Sequence, residues 1–187
     1  MYYSNALFRR FRSARDGVAA TEFALLLPVL IAIFFGVVEG SSALAQNRKV
    51  SLAVNTLADL AAQETQLMES AADDLFDGVR EIIGDTTSTM DIRLISVIAD
   101  DNGDPVVQWS YDNSGNKPLA PDTPYTDLPD AALLDANSSI MVAELTYNYV
   151  PTLTRQLIQN VNFDKMATRW PRRSLRVELC SAPGNCM

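Results

Sequence analysis

Glu22 is the side chain whose surroundings demand chemistry. Small or neutral residues precede it (Val18, Ala19, Ala20, Thr21), and no charged or conventional polar side chain follows from Phe23 to Val38. An ionised carboxylate inside an apolar helix costs about 3 kcal/mol at the bilayer centre and less toward the interface. It therefore needs either a cationic partner or a place at headgroup level where it can reach water. A second pair of reactive groups, Cys180 and Cys186, encloses Ser-Ala-Pro-Gly-Asn near the end of the sequence. In an oxidising compartment the two could close a small disulfide loop; otherwise they are free thiols. With no histidine in the chain and no further cysteine, two thiolates cannot complete a zinc shell.

Other chemistry is sparse. Histidine, the commonest general base, is absent. There is no G-x-S-x-G elbow, phosphate-cradling loop, H-E-x-x-H or C-x-x-C pattern. The many carboxylates permit a two-carboxylate hydrolase by counting alone, yet they fall where solvated helix faces and loops put them. The acidic stretch Asp100 to Asp104 has Pro105 where a calcium loop needs glycine and no bidentate Glu at the required spacing, so it reads as a hairpin turn. The expectation is a protein without catalytic activity, metal or cofactor that works through an interaction surface.

The element that must position Glu22 is the run from Arg9 to Val38. Arg9, Arg10, Arg12 and Arg15 come first, and Val18 to Val38 then gives 21 near-apolar residues. As a helix that is roughly 30 Å, enough to cross a bilayer core. Placing the run inside a soluble core would leave the arginine cluster beside it unexplained. Four arginines opposed only by Asp16 keep the N-terminus in the cytoplasm. The residues after Val38 hold 11 of the 15 Lys and Arg and 21 of the 23 Asp and Glu, a formal charge of −10. That balance suits an exported domain and argues against a nucleic-acid partner. Ala43-Leu44-Ala45 before Gln46 also fits a type I signal-peptidase site, whose use would release a soluble domain beginning at Gln46. Against that cut stand the long apolar stretch, Glu39 just before the site, and a helical pattern running through it.

The remaining roughly 150 residues make one domain. Glu39 to Glu81 reads as nearly continuous helix, open to a break near Gly36 or Gly40, with Leu57, Leu60, Ala61, Leu67 and Met68 at three- and four-residue spacing. Gly84 to Ser88 ends it. From Asp91 the period becomes two, Ile92 and Leu94 facing one way and Ile95 and Val97 the other. Asn102-Gly103 predicts a hairpin, and Val106 to Tyr111 the returning strand. Residues 112–138, rich in Pro, Asp, Asn and Ser, read as a long surface connection with one short helix around Pro129 to Ala136. Ser139 to Tyr149 is the next strand, stopped by Pro151. Thr154 to Ala167 reads as a short helix and Ser174 to Leu179 as a last strand.

Gly17-Val18-Ala19-Ala20-Thr21-Glu22-Phe23, after arginines and before an apolar helix, resembles the G-x-x-x-x-E-F motif of type IV prepilins and pseudopilins. The version ATEFALLLPVLIAIFFGVVE is similar to that of the TadE-like family of Tad (tight adherence, Flp-type) pilus systems. Tyr147-Asn148-Tyr149-Val150-Pro151 and Arg169-Trp170-Pro171-Arg172-Arg173 also resemble patches of that family. The resemblance implies a prepilin peptidase that cuts between Gly17 and Val18, making Val18 the first mature residue and Glu22 the fifth. Glu22, followed by Phe23, would then neutralise the α-amine of Val18 in a neighbouring subunit. Many type IV pilins have Phe first, so Val18 leaves its own N-methylation open.

The expected organisation is a basic cytoplasmic leader over 1–17, a transmembrane segment over 18–40 and an exported pilin-like α+β domain over 41–187. In that fold a long helix, half transmembrane and half exported, packs on a small antiparallel sheet. The implied location is the bacterial inner membrane, single pass, with the C-terminal domain periplasmic, and the assembled protein in an extracellular pilus. The implied partners are other pilins and pseudopilins, the inner-membrane Tad assembly machinery and the peptidase. The expected role is a minor pilin or pseudopilin serving surface adhesion, with an initiating, priming or tip position favoured by the length of the exported part. The competing readings are the soluble domain released after Ala45, an uncleaved membrane-anchored envelope protein, and a membrane-tethered hydrolase.

Overall fold

The structure, a computed structural model, describes residues 16–84, 88–129, 134, 138–151 and 160–187. Helix α1 (Asp16–Ala61) is one helix of 46 residues, about 69 Å long at ~1.5 Å per residue. It runs without a break through Pro28, Gly36 and Gly40. Its two halves differ in what surrounds them. From Gly17 to Val37 every residue is exposed, whereas Val50, Ala53, Val54, Leu57, Ala58 and Ala61 are buried at three- and one-residue steps along one face.

The helical pattern does not continue to Glu81 in one piece. After Ala61 the chain tightens, with the Gln63 N–H bonded to the Leu60 carbonyl and the Glu64 N–H to that of Ala61. Strand β1 (Gln66–Met68) follows, and then helix α2 (Glu69–Ile83). Gln46 Nε2 and Lys49 Nζ both donate to the carbonyl of Ile83, at 3.2 and 3.3 Å, so α2 runs back antiparallel along α1. The break lets Ala72, Phe76, Val79 and Ile83 join the core made by α1. Leu67 is buried in the strand instead of on a helix face. Gly84 closes α2 in the left-handed conformation, φ 68°, its N–H on the Arg80 carbonyl.

A four-stranded antiparallel sheet packs against these helices. It is built from β2 (Met90–Ala99), β3 (Pro105–Asp112), β4 (Ser139–Tyr149) and β5 (Val161–Arg169), in the order β3-β2-β4-β5. The expected hairpin joins β2 to β3, with the Gly103 N–H on the Asp100 carbonyl and φ 89° at Gly103. Asp100 Oδ1 accepts from the Asn102 and Asp104 N–H groups at 2.8 Å each, and these bonds hold its carboxyl below the usual range.

The alternation expected from the sequence places Ile92, Leu94, Met141, Ala143, Leu145, Tyr147 and Tyr149 on the helices. Ile95, Val97, Ile140 and Val142 face the other way, under Tyr125, Leu119, Leu128 and Leu134. The connection after β3 is therefore more than a surface loop. Its Tyr125 N–H bonds the Pro105 carbonyl, its Thr123 carbonyl accepts from Val107 N–H, and the Tyr125 hydroxyl donates to Glu144 at 2.6 Å. Most of the short helix expected at Pro129 to Ala136 lies outside the described residues.

The expected helix over Thr154 to Ala167 is corrected from Val161 onward, where β5 pairs along β4 from Tyr149↔Val161 to Met141↔Arg169; residues 152–159 lie outside the described region. The last strand is also displaced. It is β6 (Glu178–Ala182), because the Leu175 and Val177 carbonyls are already taken by the Ser139 N–H and the Trp109 indole. Strand β6 joins β1 in parallel and β7 (Asn185–Cys186) antiparallel, forming a second sheet in the order β1-β6-β7. The whole is α+β, a long N-terminal apolar helix packed on sheets.

Candidate functional site: the apolar helix and its junction with the folded domain

Gly17, Val18, Glu22 and Phe23 all lie in the first turns of α1, away from the folded domain and exposed. Val18 and Glu22 are four residues apart and so share a helical face. Thr21 Oγ1 donates to the Val18 carbonyl at 2.8 Å. Among the described residues no ion pair involves Glu22, and Arg9, Arg10, Arg12 and Arg15 lie outside them. The following residues to Val37 leave Phe23, Leu25, Leu26, Leu30, Phe34 and Val37 exposed on every side. A helix apolar all round needs an apolar medium or other helices about it, and α1 is long and apolar enough to cross a bilayer.

Where that stretch ends, the domain takes hold. Glu39 is only 6% exposed, and the Tyr149 hydroxyl donates to its Oε1 at 3.0 Å. Burial, and then the bond and charge of Glu39, push the Tyr149 hydroxyl up to about 12. About two turns further on, Gln46 Nε2 donates to the Tyr147 hydroxyl at 3.2 Å as well as to the Ile83 carbonyl. Phe163 of β5 stacks against both tyrosines, ring centres 6.4 and 5.8 Å away. Alternation along β4 sends Tyr147 and Tyr149 toward α1, while Asn148 turns outward to Asn162.

A second clasp grips the far end of α1. Arg169 Nη2 donates to Asn55 Oδ1 at 2.8 Å, Arg172 pairs with Asp59, and the Arg172 N–H caps the Ala62 carbonyl at 2.8 Å. Both patches singled out in the sequence, Tyr147 to Pro151 and Arg169 to Arg173, thus hold the same helix at two levels. Residues 17–59 match the family model described as TadE-like protein. The TadE-like segment contains the whole apolar half of α1 and, with Glu39, Gln46, Asn55 and Asp59, contacts in both clasps. The match implies a protein associated with Tad pili and their assembly machinery. No curated protein and no solved structure matches the chain.

Cys180 and Cys186 are disulfide-bonded. They tie β7 to β6 directly beside β1, with Cys180 opposite Met68 in the parallel pair. The disulfide is remote from Glu22 in the fold and acts on the turn between α1 and α2.

Glu39 and Gln46 are the functional residues that sequence reasoning passed over. Glu39 counted only as an obstacle to the Ala45 cut, and its partner Tyr149 lies 110 positions away in the sequence. Among the described residues that line two surface clefts, Asp73 accepts from the Tyr111 hydroxyl, Asp77 pairs with Arg80 and Asp100 is held by its own turn.

Proposed function

We propose that the chain is a minor pilin or pseudopilin that takes part in assembling a Tad-type pilus for surface adhesion, and that it performs no catalysis. One observation carries the reading. The TadE-like segment is a single helix, apolar all round in its first half and fastened to a folded domain along its second. Such a helix can wait in a bilayer and later exchange lipid for neighbouring helices without refolding, because its exposed surface is apolar and its backbone bonds are internal. The N-terminus lies in the cytoplasm and the folded domain in the periplasm, in keeping with the arginine cluster and the −10 domain.

On this reading a prepilin peptidase cuts between Gly17 and Val18. The freed α-amine of Val18 pairs with Glu22 of a neighbouring subunit. Two opposite charges in a low-dielectric bundle specify register, because a slip leaves both unpaired, and breaking a buried pair costs about 3–5 kcal/mol. The cut after Ala45 fits the fold poorly. It falls inside α1 and would strip Glu39 from Tyr149 while leaving Gln46 as a frayed end.

Glu22→Ala tests the proposal. It is expected to insert in the membrane and fold normally while surface pili fall to background. Normal piliation in that variant would contradict the charge register.

A further inference from the structure

The two clasps on α1 also set the height of the folded domain along that helix. Glu39 follows the last residue of the apolar run, and the Tyr149 hydroxyl lies 3.0 Å from its Oε1. Asn55 receives Arg169, which pairs with Met141 of β4. From Glu39 to Asn55 the helix rises about 24 Å at ~1.5 Å per residue. From Tyr149 back to Met141 the strand covers about 27 Å at ~3.4 Å per residue. With these lengths so close, β4 stands alongside α1, and its Tyr149 end is the one nearest the apolar half. The hairpin from Asp100 to Asp104 belongs to the opposite end, because Ser139 pairs with Ile98.

The end nearest the apolar half differs in character from the rest of the domain. Val161 sits opposite Tyr149 and is 41% exposed, and Val150 is half-buried. The Asn148 N–H bonds the Thr89 carbonyl, which brings Thr89 to the same level. A ladder of amides runs beside them, Asn160 Nδ2 donating to Asn148 Oδ1 at 3.0 Å and Asn148 Nδ2 to Asn162 Oδ1 at 2.6 Å. None of Thr89, Asn148, Val150, Pro151, Asn160 and Val161 carries a charge, although the residues after Val38 total −10. Glu39, the carboxylate at this level, is buried on Tyr149.

That composition suits the layer in which this end would lie. The polar headgroups add roughly 5–7 Å beyond each edge of the hydrocarbon. With Val18 to Val38 in the hydrocarbon, Glu39 is ~1.5 Å past its edge along the helix axis, so the side chains around Tyr149 fall at headgroup depth. Tyrosine is enriched there, and amides and small aliphatic groups meet both polar and apolar surroundings. An ionised carboxylate would lose hydration at that depth.

We infer that the domain rests on the bilayer that α1 crosses, with Val150, Val161 and the amides of Asn148 and Asn160 in the lipid headgroup layer. The inference depends on α1 spanning the membrane, and it is independent of the Gly17 cut, of Glu22 and of any pilus. Span and rim together then hold the domain in one orientation to the membrane.

The test uses the full chain in vesicles of phosphatidylcholine and phosphatidylglycerol, with a nitroxide attached at one introduced cysteine. Cys180 and Cys186 are bonded to each other, so each variant has a single reactive thiol. Val161→Cys probes the rim, Asp101→Cys the far end of the sheet and Val29→Cys the middle of the span; all three positions are exposed in the fold. Collision with a water-soluble nickel chelate is expected to be several-fold lower at Val161 than at Asp101, and lowest at Val29. Equal nickel access at Val161 and Asp101, with Val29 shielded, would overturn the inference while leaving the span intact. Nickel access at Val29 would overturn the inference together with the membrane reading of α1. Shielding of Val161 that grows with the ratio of protein to lipid would assign this end to a neighbouring chain and overturn the inference as well.

Discussion

Tyr149 and Glu39 carry the contact by which the folded domain meets the end of the apolar helix. A hydrogen bond to a charged group contributes about 1.5–3 kcal/mol, so Tyr149→Phe should lower the stability of the domain by that order in a urea titration, with α1 still in the membrane. The same bond has an alkaline signature. The Tyr149 hydroxyl is raised from 10.0 to about 12 in the folded chain. Below pH 10 both states are protonated and the contribution is fully present. As the pH rises from 10 toward 12 the unfolded chain ionises first, and stability is lost. Tyr111 is likewise raised to about 12, by burial and by Asp73, and burial with Glu144 also raises Tyr125. The wild type should therefore lose stability steeply above pH 10, and Tyr149→Phe should lose it less steeply. Parallel losses would mean that Glu39 does not hold the phenolic proton. None of this was readable from sequence, because the bond joins residues 110 positions apart.

At the scale of elements, local chemistry was the most legible. The Asn102-Gly103 hairpin and the alternation in β2 and β4 followed from residue types and a period of two. The failures arose where distant partners decide. Residues from Val161 onward became a strand because β4 offered a free edge, overriding the spacing of Leu157, Ile158 and Val161. The α1–α2 break was invisible because apolar residues keep helical spacing on both sides of it, while β6, which draws out β1, lies more than a hundred residues later. Two predictions belong here. Leu57→Ala, at a fully buried position of α1, should cost about 2–5 kcal/mol. Removing the Cys180–Cys186 bond by Cys186→Ser should cost about 2–3 kcal/mol by the loop-entropy relation. It should also speed amide exchange in β1 and β6 before it affects the four-stranded sheet. Uniform exchange across both sheets would show that the second sheet does not open by itself.

For the whole molecule, the division of labour lies along α1. The motif from Gly17 to Phe23 was legible as a pattern of residue types, since charge placement in an apolar helix is a one-dimensional property. How the domain grips the second half of that helix was not, although its two gripping patches had been noticed in the sequence without a role. The grip makes the helix and domain one body. Glu39, Gln46 and Asp59 fasten the helix to the domain, and the helix continues through Gly36 and Gly40 without a break. The central claim is that this body is made by a cut at the start of α1 and not within it. The most direct measurement is the N-terminal residue of the mature protein from membranes of cells that express the peptidase. The account gives Val18. A mature chain beginning at Gln46 or an intact Met1 would contradict it.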